Sequence, residues 1–180
     1  SLHHRGQQRY LLPFELGQYS IQNLVLALAL HSVAGQIRKR FPGAGKKRPC
    51  VLVVDDQPVN IQALYRIFSS EYQVLMATSG EKALAICRDN PPDLVLLDVV
   101  MPGMDGHEVC ARLKANHDTR DIPVIFVTAH NNTDEETHGL ELGAVDFIAK
   151  PISPPVVRAR IRTQLTLKSQ ADLLRQMALV

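Results

Sequence analysis

The fold is decided by the segment CVLVVDDQP, which runs from Cys50 to Pro58. Its first five residues form an apolar run rich in β-branched side chains, which predicts a short buried strand. The acidic pair Asp55-Asp56 ends this run, and Pro58 suits the first turn of a helix because an amide hydrogen has no partner there. The segment therefore predicts a strand that leads directly into a helix.

The same order of strand and helix recurs four more times along the chain. The predicted strands are short apolar runs at 50–54, 73–77, 94–97, 123–127 and 146–149. The predicted helices follow them at 58–69, 78–90, 107–115, 133–142 and from Ser153 onward. Continuous apolar strands that alternate with amphipathic helices predict an α/β fold, in which a doubly wound, five-stranded parallel sheet is covered by helices on both faces.

Two extensions flank this region. Residues 1–48 contain a predicted helix at 20–40, which Ser20 can cap, and then a basic linker rich in Pro and Gly. At the other end, the last predicted helix continues beyond the repeated units. The sequence thus predicts an N-terminal extension at 1–48, a domain at 49–165 and a C-terminal helical extension at 166–180.

Charge is unevenly distributed over the 180 residues, although the net charge is only +2. Residues 1–48 and 153–180 carry an excess of basic side chains, whereas residues 49–152 carry an excess of acidic ones. Such asymmetry can mark a nucleic-acid surface. Here the acidic excess includes a candidate metal site and the basic groups lie in extensions, so we expect no direct nucleic-acid binding.

Neither the apolar stretches nor the cysteines indicate a membrane or secreted protein. The run from Ile21 to Ala34 is shorter than the roughly 20 apolar residues that a bilayer span needs. Cys50, Cys87 and Cys110 are widely separated and form no CxxC pair, which predicts reduced and mostly buried thiols. We therefore expect a cytoplasmic protein without a membrane anchor.

Polar side chains follow the predicted strands at the point where the strands end. Asp55 and Asp56 follow the first strand, and Asp98 follows the third. Thr128 ends the fourth strand and Lys150 the fifth. Because ligands of doubly wound sheets bind beyond the carboxyl ends of the strands, we expect these side chains to meet at one edge of the sheet.

Three carboxylates at one edge require a compensating cation. At ~5 Å and an effective dielectric of about 20, each pair repels by roughly 3 kcal/mol. Lys150 supplies one positive charge, and carboxylates with water suit Mg²⁺. A carboxylate can also be a nucleophile that forms an aspartyl phosphate, while the Thr128 hydroxyl donates to a phosphoryl oxygen. The pattern predicts a magnesium-dependent phosphoryl-transfer site.

Four segments resemble the motifs of response-regulator receiver domains: VVDD at 53–56, LLDVVMPGMDG at 96–106, VTA at 127–129 and DFIAKP at 146–151. They occur in the order and at the spacing of that family, and the match extends from residue 50 to about 165. The resemblance implies the flavodoxin-like strand order 2-1-3-4-5. It also implies a switch controlled by phosphorylation rather than an enzyme.

The resemblance implies a role for each matched acidic residue. Asp98 is the phosphate acceptor. Asp55 and Asp56 hold Mg²⁺, with Asp56 the more direct ligand, and the backbone carbonyl of Val100 is a further ligand beside Asp98. Close relatives often have Met at the position of Val100, so the lifetime of the phosphoryl group is left open.

The resemblance also implies the moving parts of a switch. Thr128 is the switch hydroxyl, Lys150 pairs with the phosphoryl group, and Phe147 is the aromatic that turns inward when Thr128 moves. The bond between Lys150 and Pro151 is cis in the family. His130, two residues after the switch hydroxyl, is a second position that influences the phosphoryl lifetime.

Two other functions fit the residues less well. A phosphatase with an aspartate nucleophile would need another acid close to Asp98, but Val99 and Val100 follow it. A nucleotide- or flavin-binding protein would need a glycine-rich loop after the first strand, where the sequence has Asp55-Asp56-Gln57-Pro58. A phosphorylated receiver therefore remains the prediction.

The resemblance implies protein partners and an output. The phosphoryl donor is a sensor histidine kinase or a phosphotransfer protein, and phosphorylation favours a homodimer. Residues 153–178 resemble the segment that joins receivers to diguanylate cyclases; an HD-GYP phosphodiesterase, a hybrid kinase and a freestanding phosphate shuttle are the alternatives. One face of the last helix carries an apolar stripe that packs on the domain or on a second copy, formed by Leu167, Ala171, Leu174 and Ala178.

Overall fold

The computed structural model describes residues 47–129 and 133–179. The predicted helix at 20–40 and His130 lie outside the described residues. Strands and helices alternate along the described part: β1 (Cys50–Val54), α1 (Pro58–Phe68), β2 (Gln73–Ala77), α2 (Gly80–Asp89), β3 (Leu94–Asp98), α3 (Gly106–Ala115), β4 (Val124–Thr128), α4 (Thr133–Glu141), β5 (Asp146–Ala149) and α5 (Pro154–Ala178).

Five parallel strands form one sheet in the order β2-β1-β3-β4-β5. This confirms the predicted doubly wound α/β fold and its strand order. Every residue of β3 and β4 is buried, as expected for central strands whose two faces are both covered. The edge strand β2 is less protected, and half of the Met76 side chain is exposed.

Alternate residues of each strand point to opposite faces of the sheet and so build two separate cores. On one face, strand residues such as Leu52 and Leu97 pack with Cys87 of α2 and Val109 of α3. On the other, Val53 and its neighbours pack with apolar residues of α1 and α5, which are Ile61, Leu64, Phe68, Val157 and Ile161. The helices thus hold the strand ends at fixed positions.

Local hydrogen bonds start the helices at the carboxyl edge of the sheet. The Ser79 hydroxyl accepts a hydrogen bond from the Lys82 amide at the start of α2. The Asp105 carboxylate accepts one from the Glu108 amide at 2.8 Å, so α3 begins one residue earlier than the predicted position 107. These caps place the loops that precede α2 and α3 next to the strand ends.

The three cysteines are free thiols, and Cys87 and Cys110 lie in the core. Burial raises the pKa of the Cys87 thiol to about 11, which keeps it protonated and poorly nucleophilic at neutral pH. The predicted burial of most cysteines is therefore confirmed for these two, while Cys50 is partly buried.

The long C-terminal helix is confirmed, since α5 covers 25 residues. Its first turns enter the core through Val157 and Ile161. Leu167 and Leu174 of the predicted apolar stripe are 38% and 44% exposed, so this domain covers these leucines only in part. In residues 47–129 and 133–179, no helix combines the length and the apolar character that crossing a membrane would require.

Candidate functional site

Strand register brings the predicted site residues to one edge of the sheet. Val54 pairs with Leu97, so the residues that follow each of them, Asp55 and Asp98, stand side by side. Asp98 in turn pairs with Val127, which puts Thr128 one step further along the neighbouring strand. Lys150 follows the last paired residue of β5, and its backbone amide donates to the Thr128 carbonyl at 2.8 Å.

Three carboxylates converge at this edge. One oxygen from each of Asp55, Asp56 and Asp98 lies within 4.8 Å of the others. Asp55 and Asp98 are only 3% and 6% exposed, whereas Asp56 is partly exposed. The predicted acidic cluster therefore exists, and Asp56 is its member on the solvent side.

Lys150 is the cation that the structure supplies to this cluster. Its Nζ lies 3.3 Å from Asp98 Oδ2 and 3.4 Å from Asp55 Oδ2. The Lys150 side chain is 25% exposed, so it reaches the buried carboxylates from the rim of the site. One ammonium group faces three carboxylates, and the site keeps an excess of negative charge.

The environment of Asp98 disfavours its charged form. Burial raises the pKa of the Asp98 carboxyl, and the negative charge of Asp55 raises this pKa further. The attraction of Lys150 and a hydrogen bond from the Val100 amide act in the opposite direction, but the pKa remains above its ordinary value. A second cation beside Asp98 would stabilise the ionised carboxylate that a nucleophile needs.

Asp55 is held by donors that the sequence pattern does not single out. The Gln57 amide donates to Asp55 Oδ1 at 2.8 Å, and Asn60 Nδ2 donates to Asp55 Oδ2 at 3.0 Å. Asn60 lies in the first turn of α1, five residues after Asp55. An amide about one helical turn beyond an acidic strand end makes such a contact possible, but the spacing alone does not identify it.

The loop after β3 is held tightly against Asp98. The Gly106 amide donates to the Val99 carbonyl at 2.9 Å. A Cβ atom on Gly106 would collide with the Asp98 carbonyl oxygen and lie 2.8 Å from Cα of Val99. The side chain of Val100 is 62% exposed and points away from the core, so only its backbone faces Asp98.

The two predicted switch residues lie on neighbouring strands beside the cluster. Thr128 is 3% exposed at the end of β4. Phe147 of β5 is partly buried, and its ring lies 5.4 Å from that of Phe126, measured between ring centroids. The bond between Lys150 and Pro151 is cis, as the resemblance implied.

The donor set fits a hard divalent cation. Carboxylate oxygens with access to water are ligands that Mg²⁺ accepts, and the three converging oxygens come from two separate strand ends. Asp55, Asp56 and Asp98 would hold the ion, which would supply charge neutralisation at Asp98. Lys150 and the Thr128 hydroxyl stand at the same edge as further partners for an anionic group.

Comparison with known proteins identifies the family. Residues 51–162 match the model of the response regulator receiver domain. Two curated relatives are the "Probable cyclic di-GMP phosphodiesterase" of Vibrio cholerae, 45% identical over 69% of this chain, and the "Response regulator PleD" of Caulobacter vibrioides, 44% identical over 70%. The chain spans 28% of the length of each of these relatives.

Solved structures give the same assignment. The receiver domain of a signal transduction histidine kinase from Syntrophus aciditrophicus superposes with a TM-score of 0.61 at 34% identity. The superposition covers 66% of this chain and 90% of that domain. This similarity supports the receiver fold.

Proposed function

This chain belongs to the response-regulator receiver domain family, and from that premise we propose that Asp98 accepts a phosphoryl group in a Mg²⁺-dependent reaction. The receiver fold is that of a signalling domain, so the product is a changed protein surface rather than a released metabolite. The donor that we propose is a sensor histidine kinase or a phosphotransfer protein.

The arrangement around Lys150 is the observation that carries this proposal. A structural ion pair would need one carboxylate for one ammonium group, but Lys150 lies within 3.4 Å of two buried carboxylates and Asp56 adds a third. Charge in excess of this kind is costly to bury. A divalent cation would neutralise this excess, and the cation together with Lys150 would then attract an incoming phosphoryl group.

The proposed chemistry is a displacement at phosphorus. An oxygen of ionised Asp98 attacks the phosphorus of a phosphohistidine, the P–N bond breaks, and the imidazole leaves with its electron pair. Lys150, 3.3 Å from Asp98, would then pair with a phosphoryl oxygen, and the Thr128 hydroxyl would donate to another. When bound, Mg²⁺ would supply further charge neutralisation.

The proposed switch passes from the phosphoryl group to the surface formed by α4, β5 and α5. Movement of Thr128 toward the phosphoryl group would open space beside Phe147, whose ring already packs on Phe126. Turning a 1:99 equilibrium into 99:1 requires about 5.5 kcal/mol of differential binding. New contacts from Lys150, Thr128 and Mg²⁺ to the phosphoryl group are of the right order.

The proposed output is a cyclic-di-GMP enzyme. We place the receiver at 49–165, with 1–48 as an N-terminal extension and 166–180 as the helix that leads to the output domain. The resemblance of residues 153–178 favours a diguanylate cyclase. The 45% identity to a protein named as a cyclic di-GMP phosphodiesterase supports a phosphodiesterase as the second candidate.

We also propose that phosphorylation favours a homodimer in the cytoplasm. The face of α5 that is exposed in this chain carries Leu167, Leu174 and Met177, which are spaced so that they lie along one side of the helix. A second copy of α5 would cover these side chains. Direct contact with nucleic acid is not part of the proposal.

The test is beryllofluoride binding, because this complex imitates a phosphoryl group on a carboxylate. The chain has no tryptophan, so binding is measured by ¹⁹F NMR rather than by intrinsic fluorescence. Wild type is compared with Asp98→Ala, with and without Mg²⁺, and light scattering reports the mass. We expect binding that needs both Asp98 and Mg²⁺, together with a doubling of the mass.

Asp105→Asn is the matched control. It removes an acidic charge from the same loop, and asparagine still caps α3. We expect this variant to bind beryllofluoride like wild type. Binding that persists in Asp98→Ala, or that wild type lacks even with Mg²⁺, would overturn the assignment of Asp98. Binding without a change in mass would overturn only the dimer.

A further inference from the structure

The position of Asn60 gives it a role in the same site. We propose that Asn60 is a positioning residue that orients the Asp55 carboxylate for metal binding. This inference rests on the proposed function of the acidic cluster. The segments 53–56, 96–106, 127–129 and 146–151, which carry the resemblance, do not include Asn60, and its role follows from its contact with Asp55.

Asn60 completes the set of donors around a buried carboxylate. Asp55 Oδ1 accepts from the Gln57 amide at 2.8 Å. Asp55 Oδ2 accepts from Asn60 Nδ2 at 3.0 Å and lies 3.4 Å from Lys150 Nζ. The Asp55 side chain is 5% exposed, so these donors take the place of water.

The number of acceptor sites shows what Asn60 contributes. An ionised carboxylate offers about four lone-pair sites. The Gln57 amide, Asn60 and Lys150 use three of them, and one remains for a cation or for a water bound to it. Without Asn60, the carboxylate of Asp55 has two free sites and can rotate toward Lys150, so its preference for the cation side is lost.

Asn60 also keeps its hydrogen bond to Asp55 when Lys150 moves away from that carboxylate. Lys150 is shared between Asp55 and Asp98, and the proposed reaction draws it toward a phosphoryl group on Asp98. At that moment Asp55 Oδ2 loses its charged partner. The hydrogen bond from Asn60 continues to hold the oxygen, so Asp55 stays in the same orientation through the reaction.

The backbone of α1 is suited to this task because it is rigid near Asn60. The Asn60 amide donates to the Gln57 carbonyl at 3.0 Å. The next residue, Ile61, is 4% exposed in the core, and Leu64 one turn later is 3% exposed. Asn60 therefore projects from a helix whose rotation is fixed by packing.

The experiment measures Mg²⁺ affinity by isothermal titration calorimetry on the full chain. Asn60→Ala removes the side-chain donor, and Asn60→Leu removes it while keeping the size of the side chain. Gln62→Ala is the matched control, since Gln62 is exposed on the same helix. Groups that orient metal ligands typically contribute 10- to 100-fold in affinity. We expect both Asn60 variants to bind Mg²⁺ about tenfold more weakly than wild type, and Gln62→Ala to bind within about twofold.

Urea unfolding in EDTA separates positioning from folding. A purely structural Asn60 would lower the unfolding midpoint of the metal-free chain and leave the Mg²⁺ affinity of the folded chain unchanged. Mg²⁺ affinity of both Asn60 variants within about twofold of wild type, or a loss equal to that of Gln62→Ala, would overturn the inference. If wild type itself binds no Mg²⁺, the proposed function fails and this inference fails with it. Beryllofluoride binding to Asn60→Ala at saturating Mg²⁺ shows that the acceptor Asp98 remains intact.

Discussion

Opposite charges meet at both edges of the sheet, but their surroundings differ. At the carboxyl edge, Lys150 lies 3.3 Å from Asp98, whose side chain is 8% exposed. At the amino edge, where the strands begin, Arg175 of α5 lies 3.2 Å from Asp121. Both side chains are more than half exposed. Lys168 similarly approaches Asp93 at 3.9 Å, where the aspartate is 44% exposed.

The difference teaches that distance alone does not identify a functional ion pair. Exposed pairs contribute about 0–1 kcal/mol because water competes for each charge. Buried charges interact strongly, but each also loses its hydration. The carboxyl edge therefore holds its charges at a cost that a ligand can offset, whereas the amino edge holds α5 with weak and replaceable contacts.

Gly106→Ala should give the largest effect on stability, because it tests how tightly the carboxyl edge is built. A Cβ atom would meet backbone atoms of Asp98 and Val99, which cannot rotate away. We expect a loss of about 3 kcal/mol in the free energy of unfolding, the upper end of typical overpacking costs. The measurement is urea unfolding at neutral pH.

Gly103→Ala is the control within the same loop. Gly103 has a φ of 72°, and a Cβ atom there would meet no other atom within 4 Å, so only the backbone conformation opposes alanine. That conformation costs about 1–2 kcal/mol. If Gly106→Ala were no more destabilising than Gly103→Ala, the close approach of the loop to Asp98 would be wrong.

Asp98→Asn should stabilise the metal-free chain at neutral pH. The variant keeps the shape of the side chain but removes a buried charge and its repulsion from Asp55, which together outweigh the lost attraction to Lys150. We expect a gain of about 1–2 kcal/mol in the free energy of unfolding, by Coulomb estimates at an effective dielectric of about 20. Urea unfolding in EDTA measures it.

The pH dependence of this gain has a defined sign. Because the folded chain raises the pKa of Asp98, the wild type takes up a proton more readily folded than unfolded. Its stability therefore falls as pH rises through the raised pKa, and the advantage of Asp98→Asn should shrink as pH falls toward the ordinary value of about 3.9. An advantage that stayed constant from about pH 7 to about pH 4 would contradict the buried, disfavoured charge at this edge.

The carboxyl edge was largely predictable from the sequence, for a physical reason. Buried parallel strands must be continuous apolar runs, and the polar residue that follows each run must lie at the same edge. Asp55, Asp98, Thr128 and Lys150 satisfy that rule, and the structure brings them together. The roles implied by the resemblance stay predictions.

Asn60 could not be assigned in the same way. In most proteins, a polar side chain in the first turn of a surface helix forms its hydrogen bonds with water. The spacing of apolar residues in α1 carries no information about the partner of Asn60. Only the path of the chain from Asp55 into α1 places its amide 3.0 Å from Asp55 Oδ2. That contact depends on side-chain geometry, which spacing does not specify.

The buried side of α5 also departs from the pattern of hydropathy. Leu167 and Leu174 are exposed, while Gln164 and Gln170 are 5% and 6% exposed. Ile161 docks in the core and fixes the rotation of the helix, so Gln164, three positions later, lies on the buried side regardless of its polarity. Docking of Ile161 does not explain the burial of Gln170, which lies on the other side of the helix from Ile161. The exposed leucines follow a different requirement, which we propose is the homodimer.

Arg175→Gln should have the smallest effect, because it removes an exposed ion pair at the amino edge of the sheet. The variant removes the charge that lies 3.2 Å from Asp121 and 3.4 Å from Asp172. Because these side chains are well exposed, we expect a loss of at most about 0.5 kcal/mol in the free energy of unfolding. The loss should shrink further at about 1 M salt, where the screening length is about 3 Å. Urea unfolding at low and high salt measures both points, and beryllofluoride binding should stay at the wild-type level.

A loss above about 2 kcal/mol, or one that salt does not reduce, would mean that the amino edge holds α5 as firmly as the carboxyl edge holds Lys150. The extension would then be a fixed part of the receiver, and a signal that frees or turns α5 would have to break those contacts first.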